Sequence, residues 1–228
     1  MMVEWVATTA PIFTLYGDGT VIFRNPTDPM PESQDGFIRN NPFRIARLSE
    51  PQIQELLAFA INDGALGIAR EKYENNLIAD ATTTSFTVQA AGKTKRVEVY
   101  ALAEAAEDGP DAAVRNAFAE LAAYLKDFEA QAEVAASDWQ PTSYRGALIE
   151  SAFGAPAEWP WPAIGVDDFE KPDDPNVFGL PTREMTVEEI AALGVADPEG
   201  GVHGIYLEGP DGKTYSFVIR PLLPDETA

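Results

Sequence analysis

Cysteine is absent from the 228 residues, which removes thiol catalysis, disulfide scaffolding and thiolate metal sites from consideration. The absence is neutral on compartment, because an exported chain of this size can build a core without disulfides. Histidine occurs once, at His203. There is no run of 18 apolar residues, the least that a membrane-spanning helix needs. Cations are scarce as well: 16 Lys and Arg face 37 Asp and Glu, a formal net charge of −21. A polyanion of this size repels nucleic acid and anionic headgroups. The one basic cluster, Lys93, Lys95 and Arg96, falls at the tip of an expected hairpin, so no nucleic-acid partner is expected. Acidity fits cation binding, high solubility or a salty environment without choosing among them. The N-terminus, Met1-Met2-Val3-Glu4-Trp5, has neither a basic region nor an apolar core, so no signal peptide is expected within this chain.

What is present is ordinary globular usage, 45% apolar and 23% charged, enough apolar content to offset the entropy of ordering. Ile12 to Tyr16 and Thr20 to Phe23 read as strands around Gly17-Asp18-Gly19, where Asp-Gly suggests a type I′ turn. Residues 25 to 42, rich in Pro, Asn and Asp, read as a loop over a sheet edge. Ser49 and Gln52 form a capping box, with Pro51 in the first turn. The stripe Ile53, Leu56, Leu57, Ala60 and Ile61 continues that helix to Asn62-Asp63-Gly64, with Gly64 expected as a left-handed cap.

A second hairpin alternates Phe86, Val88 and Ala90 against Val97 and Val99, joined at Ala91-Gly92-Lys93. From about Pro110 to about Ala130 a long helix carries Val114, Phe118, Leu121, Leu125 and Phe128 at spacings of four and three. Two heptads are short for a coiled coil. A helix lying on its own sheet is therefore preferred to a dimer seam, and the chain is expected to be a monomer or a weak dimer.

Composition changes after Ala136, and Ser137 to Pro141 reads as a linker or a tight crossing. The expected organisation is two sub-domains: residues 1–136, hairpin–helix–hairpin–long helix, and residues 137–228, a Pro/Trp-rich segment with a short helix and a C-terminal hairpin. In the second, Thr186 and Glu189 make another capping box and Gly194 stops its helix. Gly204 to Glu208 pairs with Thr214 to Arg220 across Gly209-Pro210-Asp211-Gly212, with Tyr215, Phe217 and Ile219 on the inner face. The order of elements predicts an α+β fold, antiparallel hairpins with helices packed on one face.

Three segments carry a resemblance: Phe13 to Ile22; Ala79-Asp80-Ala81-Thr82-Thr83 with Val99-Tyr100-Ala101-Leu102; and Arg220-Pro221-Leu222-Leu223-Pro224-Asp225-Glu226. Together they resemble a family of uncharacterised exported proteins, often lipoproteins, of actinobacteria and Chloroflexota-like bacteria. The likeness spans nearly the whole chain and is weakest between Trp139 and Pro181. It implies a place outside the cytoplasmic membrane, at the cell surface or in the envelope. It implies no activity, and this chain lacks the signal and the lipidated Cys of that pattern.

Candidate chemistry is sparse. His203 alone meets the one-His requirement of a Ser-His-Asp hydrolase, but there is no Gly-x-Ser-x-Gly elbow. Zinc sites draw on several His or Cys. Asp167, Asp168, Asp173 and Asp174 form the densest carboxylate cluster, a candidate calcium site from which the EF-hand order is missing. Gly212-Lys213-Thr214 ends like a phosphate loop but enters a strand. A glycosidase pair cannot be chosen among 37 acids, and Trp159 and Trp161, alternating with prolines, suit packing better than sugar stacking. The expectation is a non-enzymatic binding domain of the envelope with no cofactor beyond candidate calcium. The alternatives are a secreted carboxylate-based hydrolase, with its cleft between the two parts, and a calcium-stabilised envelope module.

Overall fold

The structure, a computed structural model, describes residues 7–26, 29–31, 35–75, 78–90, 92–103, 111–171 and 179–227. In chain order the first elements are β1 (Phe13–Leu15), β2 (Thr20–Phe23), β3 (Ile38–Arg39), β4 (Arg44–Arg47) and helix α1 (Glu50–Ala58), continued by a π-helical turn, Phe59–Asp63. Next come β5 (Lys72–Tyr73), β6 (Thr83–Ala90), β7 (Lys93–Tyr100), α2 (Ala112–Lys126) and α3 (Phe128–Gln131). The remainder is β8 (Ser137–Asp138), β9 (Ser143–Glu150), β10 (Ala157–Glu158), β11 (Thr182–Thr186), α4 (Val187–Ala191), β12 (Val202–Glu208) and β13 (Thr214–Pro221). The fold is α+β, built on antiparallel sheets with two short parallel pairings.

The chain forms two compact units, residues 1–15, 21–46 and 135–228 in the first and residues 16–20 and 47–134 in the second. The chain crosses between the units after Val134, and residues 21–46 group with the C-terminal half. The reason is non-local pairing: β3 joins β12 through Val202↔Arg39 and His203↔Ile38, and β4 joins β8 through Arg44↔Asp138. The stretch 25–42 therefore holds a strand, and Ser137 to Pro141 is no linker, since β8 is a strand and Trp139 is buried edge-on to Phe43 at 5.8 Å.

In the first unit, β13 lies between β12 and β9 and is buried on both faces. Tyr215, Phe217 and Ile219 enter one core with Leu148, Met185 and Ile190. Trp161 belongs to that core, and its indole N–H donates to the Glu189 carbonyl at 2.7 Å. Trp159 donates to the Ile164 carbonyl at 2.7 Å and packs edge-on to Trp161. Trp161 thus fastens the Pro-rich segment to the core and to α4, whereas the Trp159 donor closes a bond within the segment, each indole using its apolar body and its single donor. The Thr186 cap forms in both directions, Glu189 N–H to Thr186 Oγ1 and Thr186 N–H to Glu189 Oε2, and Gly194 ends the helix at φ +67°.

In the second unit, the expected hairpin is β6–β7 in the register Phe86↔Val97. The seam of α2 faces this sheet: Phe118 and Leu121 share a core with Tyr73, Phe86, Val97 and Val99, with Phe118 stacked on Phe86 at 5.7 Å. The helical seam is spent on the chain's own sheet. The helix breaks at Asp127 (φ −120°, ψ 36°) and resumes as α3, with Phe128 still buried. Pro110, the expected start, lies outside the described residues, as does Ala91 of the hairpin tip.

Two turns differ from expectation. Neither Gly17 nor Asp18 has a positive φ, whereas Gly19 does (+87°). A type I′ turn needs positive φ at both central residues. Here the Asp18 carboxylate holds the Thr20 N–H at 2.9 Å instead, and Gly19 alone turns left-handed. Gly64 is likewise not the left-handed cap, since its φ is −74° and Ala65 takes the positive value of 58°. The π-helical turn adds a residue and moves the cap one place on. Gly64 serves close approach: a Cβ there would lie 2.8 Å from the Ala60 carbonyl oxygen and 2.9 Å from a Leu121 methyl.

Candidate functional site

The sheet order in the second unit is β5-β7-β6, which leaves β6 at the margin. No described strand pairs with its outer side. The strand reads Thr-Thr-Ser-Phe-Thr-Val-Gln-Ala, eight residues without a charge, a proline or a glycine. Natural sheets commonly protect such margins with lysine, proline or bulges, because unpaired N–H and C=O groups recruit another strand. Beside it lies an apolar groove of about 170 Å³, lined by Ile61, Leu66, Phe86, Val88, Val97 and the stem of Lys95. Ile61 is 42% exposed and nearby Ile68 is 88% exposed. Lys95 donates to the Gly67 carbonyl at 3.2 Å, which sets an ammonium at the rim. Lys93 is exposed at the same end of the hairpin. The arrangement offers main-chain hydrogen bonds, one apolar socket and a positive end.

The first unit holds a cluster of arginines. Arg145 on β9 and Arg220 on β13 stand directly opposite each other, a like-charge arrangement that costs stability unless compensated. Arg220 is 2% exposed and grips Glu226 through both terminal nitrogens, at 2.8 and 3.1 Å. Glu226 Oε2 also accepts from the Leu223 N–H at 3.0 Å. Arg24, one residue past β2, lies 4.1 Å over the Phe43 ring and donates to the Gly200 carbonyl at 2.8 Å. Burial, with Arg220 nearby, pushes the Arg24 guanidinium down to about 10. Burial and then Arg220 lower Arg145 too, with Glu226 acting in the opposite direction. Arg145 donates to the Thr227 carbonyl at 2.6 Å. The Nε atoms of all three are buried without a hydrogen-bond partner.

The residues singled out from sequence are scattered. His203 is buried at a β-bulge between Val202 and Ile205, where the sheet is irregular and β3 pairs. Asp167 and Asp168 form a 3-10 turn with Val166, and the Asp168 carboxylate accepts from the Gly165 N–H at 2.7 Å. Asp173 and Asp174 lie outside the described residues. Among the described residues no three His, Cys, Asp or Glu side chains gather as a metal-ligating group. The arginine cluster was missed because its members are far apart in sequence and only strand register brings two of them face to face. The edge strand was missed because alternation identifies a strand without saying which side is paired. No helix among the described residues is long and apolar enough to cross a membrane. No family model, curated protein or solved structure matches the chain.

Proposed function

We propose that this chain is a non-enzymatic interaction module of an exported, envelope-associated protein, which binds an extended segment of a partner by adding it as a strand to β6. The observation that carries the reading is the uncharged eight-residue margin beside the apolar groove. In strand addition the main chain supplies affinity and pockets for alternate side chains supply selectivity. The segment that fits is extended and has an apolar side chain for the groove. It carries a carboxylate at the end facing Lys93 and Lys95. The envelope location rests on the family resemblance of the segments Phe13 to Ile22, Ala79 to Leu102 and Arg220 to Glu226.

Selection from a library of random extended peptides tests the binding. Enriched peptides should alternate apolar residues and shift the amide resonances of Thr83 to Ala90. Val88→Lys, which places a charge at the groove, should abolish those shifts without unfolding the chain. Enrichment of nothing, or shifts that map elsewhere, refutes the site. A concentration-dependent dimer through the same amides would identify a second copy, not a foreign segment, as the occupant. Fractionation of the source cells tests location, and recovery only in the cytosol refutes export.

A further inference from the structure

The geometry points to a small-oxyanion site, of the inorganic phosphate class, at Arg24, Arg145 and Arg220. Arg145 and Arg220 face each other across β9 and β13, and Arg24 lies close enough to Arg220 to feel its charge, whereas Glu226 is the one carboxylate among the described residues that these three arginines hold. Buried charges are expected to be paired, and buried donors to be hydrogen-bonded. Here each guanidinium keeps an unused, buried Nε. Arg24 and Arg145 otherwise donate to backbone carbonyls, which carry no full charge. Neighbouring guanidiniums suit a multiply charged oxyanion, because each planar fork offers parallel N–H donors.

Glu226 shows how such an anion would be held. Its two oxygens take the fork of Arg220, and one takes a main-chain N–H. It is carried on residues 222–227, a segment joined to the sheet by the Leu222 N–H bond to the Ser143 carbonyl. Glu226 is thus a built-in carboxylate in a site whose positive charge exceeds what one carboxylate neutralises. A free dianion competes for the Arg220 fork and gains Arg24 and Arg145 as flanking donors, both of which are only half-buried.

Thermal melts in phosphate and in chloride at matched ionic strength test the site. Phosphate should raise Tm above the chloride value by mass action on the folded state. The rise should be larger in Glu226→Gln, where the competing carboxylate is neutral. In Arg145→Gln, calorimetry with phosphate should show binding weakened by about tenfold or more, the loss of a hydrogen bond to a charged group. If Arg145→Gln does not fold, Arg145→Lys, which keeps the charge and loses the fork, replaces it. Equal Tm values in phosphate and chloride, or a phosphate affinity unchanged by the Arg145 and Glu226 variants, overturns the proposal.

Discussion

Gly64→Ala separates two accounts of the same glycine. If Gly64 capped a helix in the left-handed region, alanine would cost about 1 kcal/mol through backbone strain, independently of any neighbour. At the observed φ of −74°, alanine is compatible with the backbone and on that ground gains about 0.4–1 kcal/mol by restricting the unfolded chain. The new Cβ, however, would sit 2.8 Å from the Ala60 carbonyl oxygen and 2.9 Å from the Leu121 Cδ2. The carbonyl is not free to move, because it accepts the Leu66 N–H at 3.1 Å. Overpacking of this kind costs about 1–3 kcal/mol, so the net expectation is a loss of roughly 1–2 kcal/mol. Half of the collision is with Leu121, so the penalty should shrink in a Leu121→Ala background by about 0.5 kcal/mol or more. Urea unfolding followed by circular dichroism at helical wavelengths reads the second unit. Tryptophan fluorescence reads the first, because the described Trp139, Trp159 and Trp161 belong to it. A Gly64→Ala protein as stable as the parent, or a penalty additive with Leu121→Ala, refutes the steric account.

Glu133 follows α3, is exposed and has a φ of +49°. Glu133→Gly should stabilise the chain by about 1 kcal/mol, the relief of left-handed strain and of a carboxylate at a helix C-terminus less the entropy of glycine. A Tm that does not rise counts against it. The Glu189 carboxylate, hydrogen-bonded by Arg183 at 2.9 Å and by the Thr186 N–H at 2.8 Å, is held below its ordinary value, mainly by the Arg183 bond. Its ionised form favours the fold, so this contribution is complete above about pH 4.5 and is lost as pH falls through the lowered folded value. Glu189→Gln should be less stable at neutral pH and should show a flatter acid limb between about pH 5 and 3 in denaturant unfolding. Parallel acid limbs for the two proteins would contradict this.

How legible the fold is depends on the range of each interaction. The β6–β7 hairpin, the β12–β13 hairpin and the α4 cap can be read directly, because alternation, a turn and a capping box are all local signals. Phe118 and Leu121 could be placed on a buried stripe, and the sheet that covers them is adjacent in the chain. The strands β3 and β8 were invisible, since two residues show no period and their partners lie about 160 and 90 residues away. The two-sided burial of β13 was also hidden. Tyr215, Phe217 and Ile219 announce one inner face, whereas Ser216, Val218 and Arg220 look like a solvated one until β13 is found between two neighbours. Gly64 shows a subtler limit: an Asn-Asp-Gly stop marks where a helix ends, but a single π-helical turn moves the left-handed residue by one.

The distribution of cations gives the net charge its meaning. In the first unit three arginines are ion-paired with nearby carboxylates, Arg39 to Asp35, Arg183 to Glu189 and Arg220 to Glu226. Arg39 and Arg220 are themselves buried. Cations spent in this way fasten loops to strands and leave carboxylates to dominate the exposed surface. Residues 83–100 run against that pattern, with Lys93, Lys95 and Arg96 against Glu98 alone. Only Arg96 among these three is ion-paired with Glu98, at 3.0 Å. An acidic segment approaching from a distance is repelled by the molecule as a whole, but at physiological salt that field decays within about 8 Å. Contact pairs at the hairpin end survive such screening better than the long-range field does. On the proposed reading, a strongly acidic protein can still take up an acidic strand at the β6 margin, where Lys93 and Lys95 place positive charge at the hairpin end.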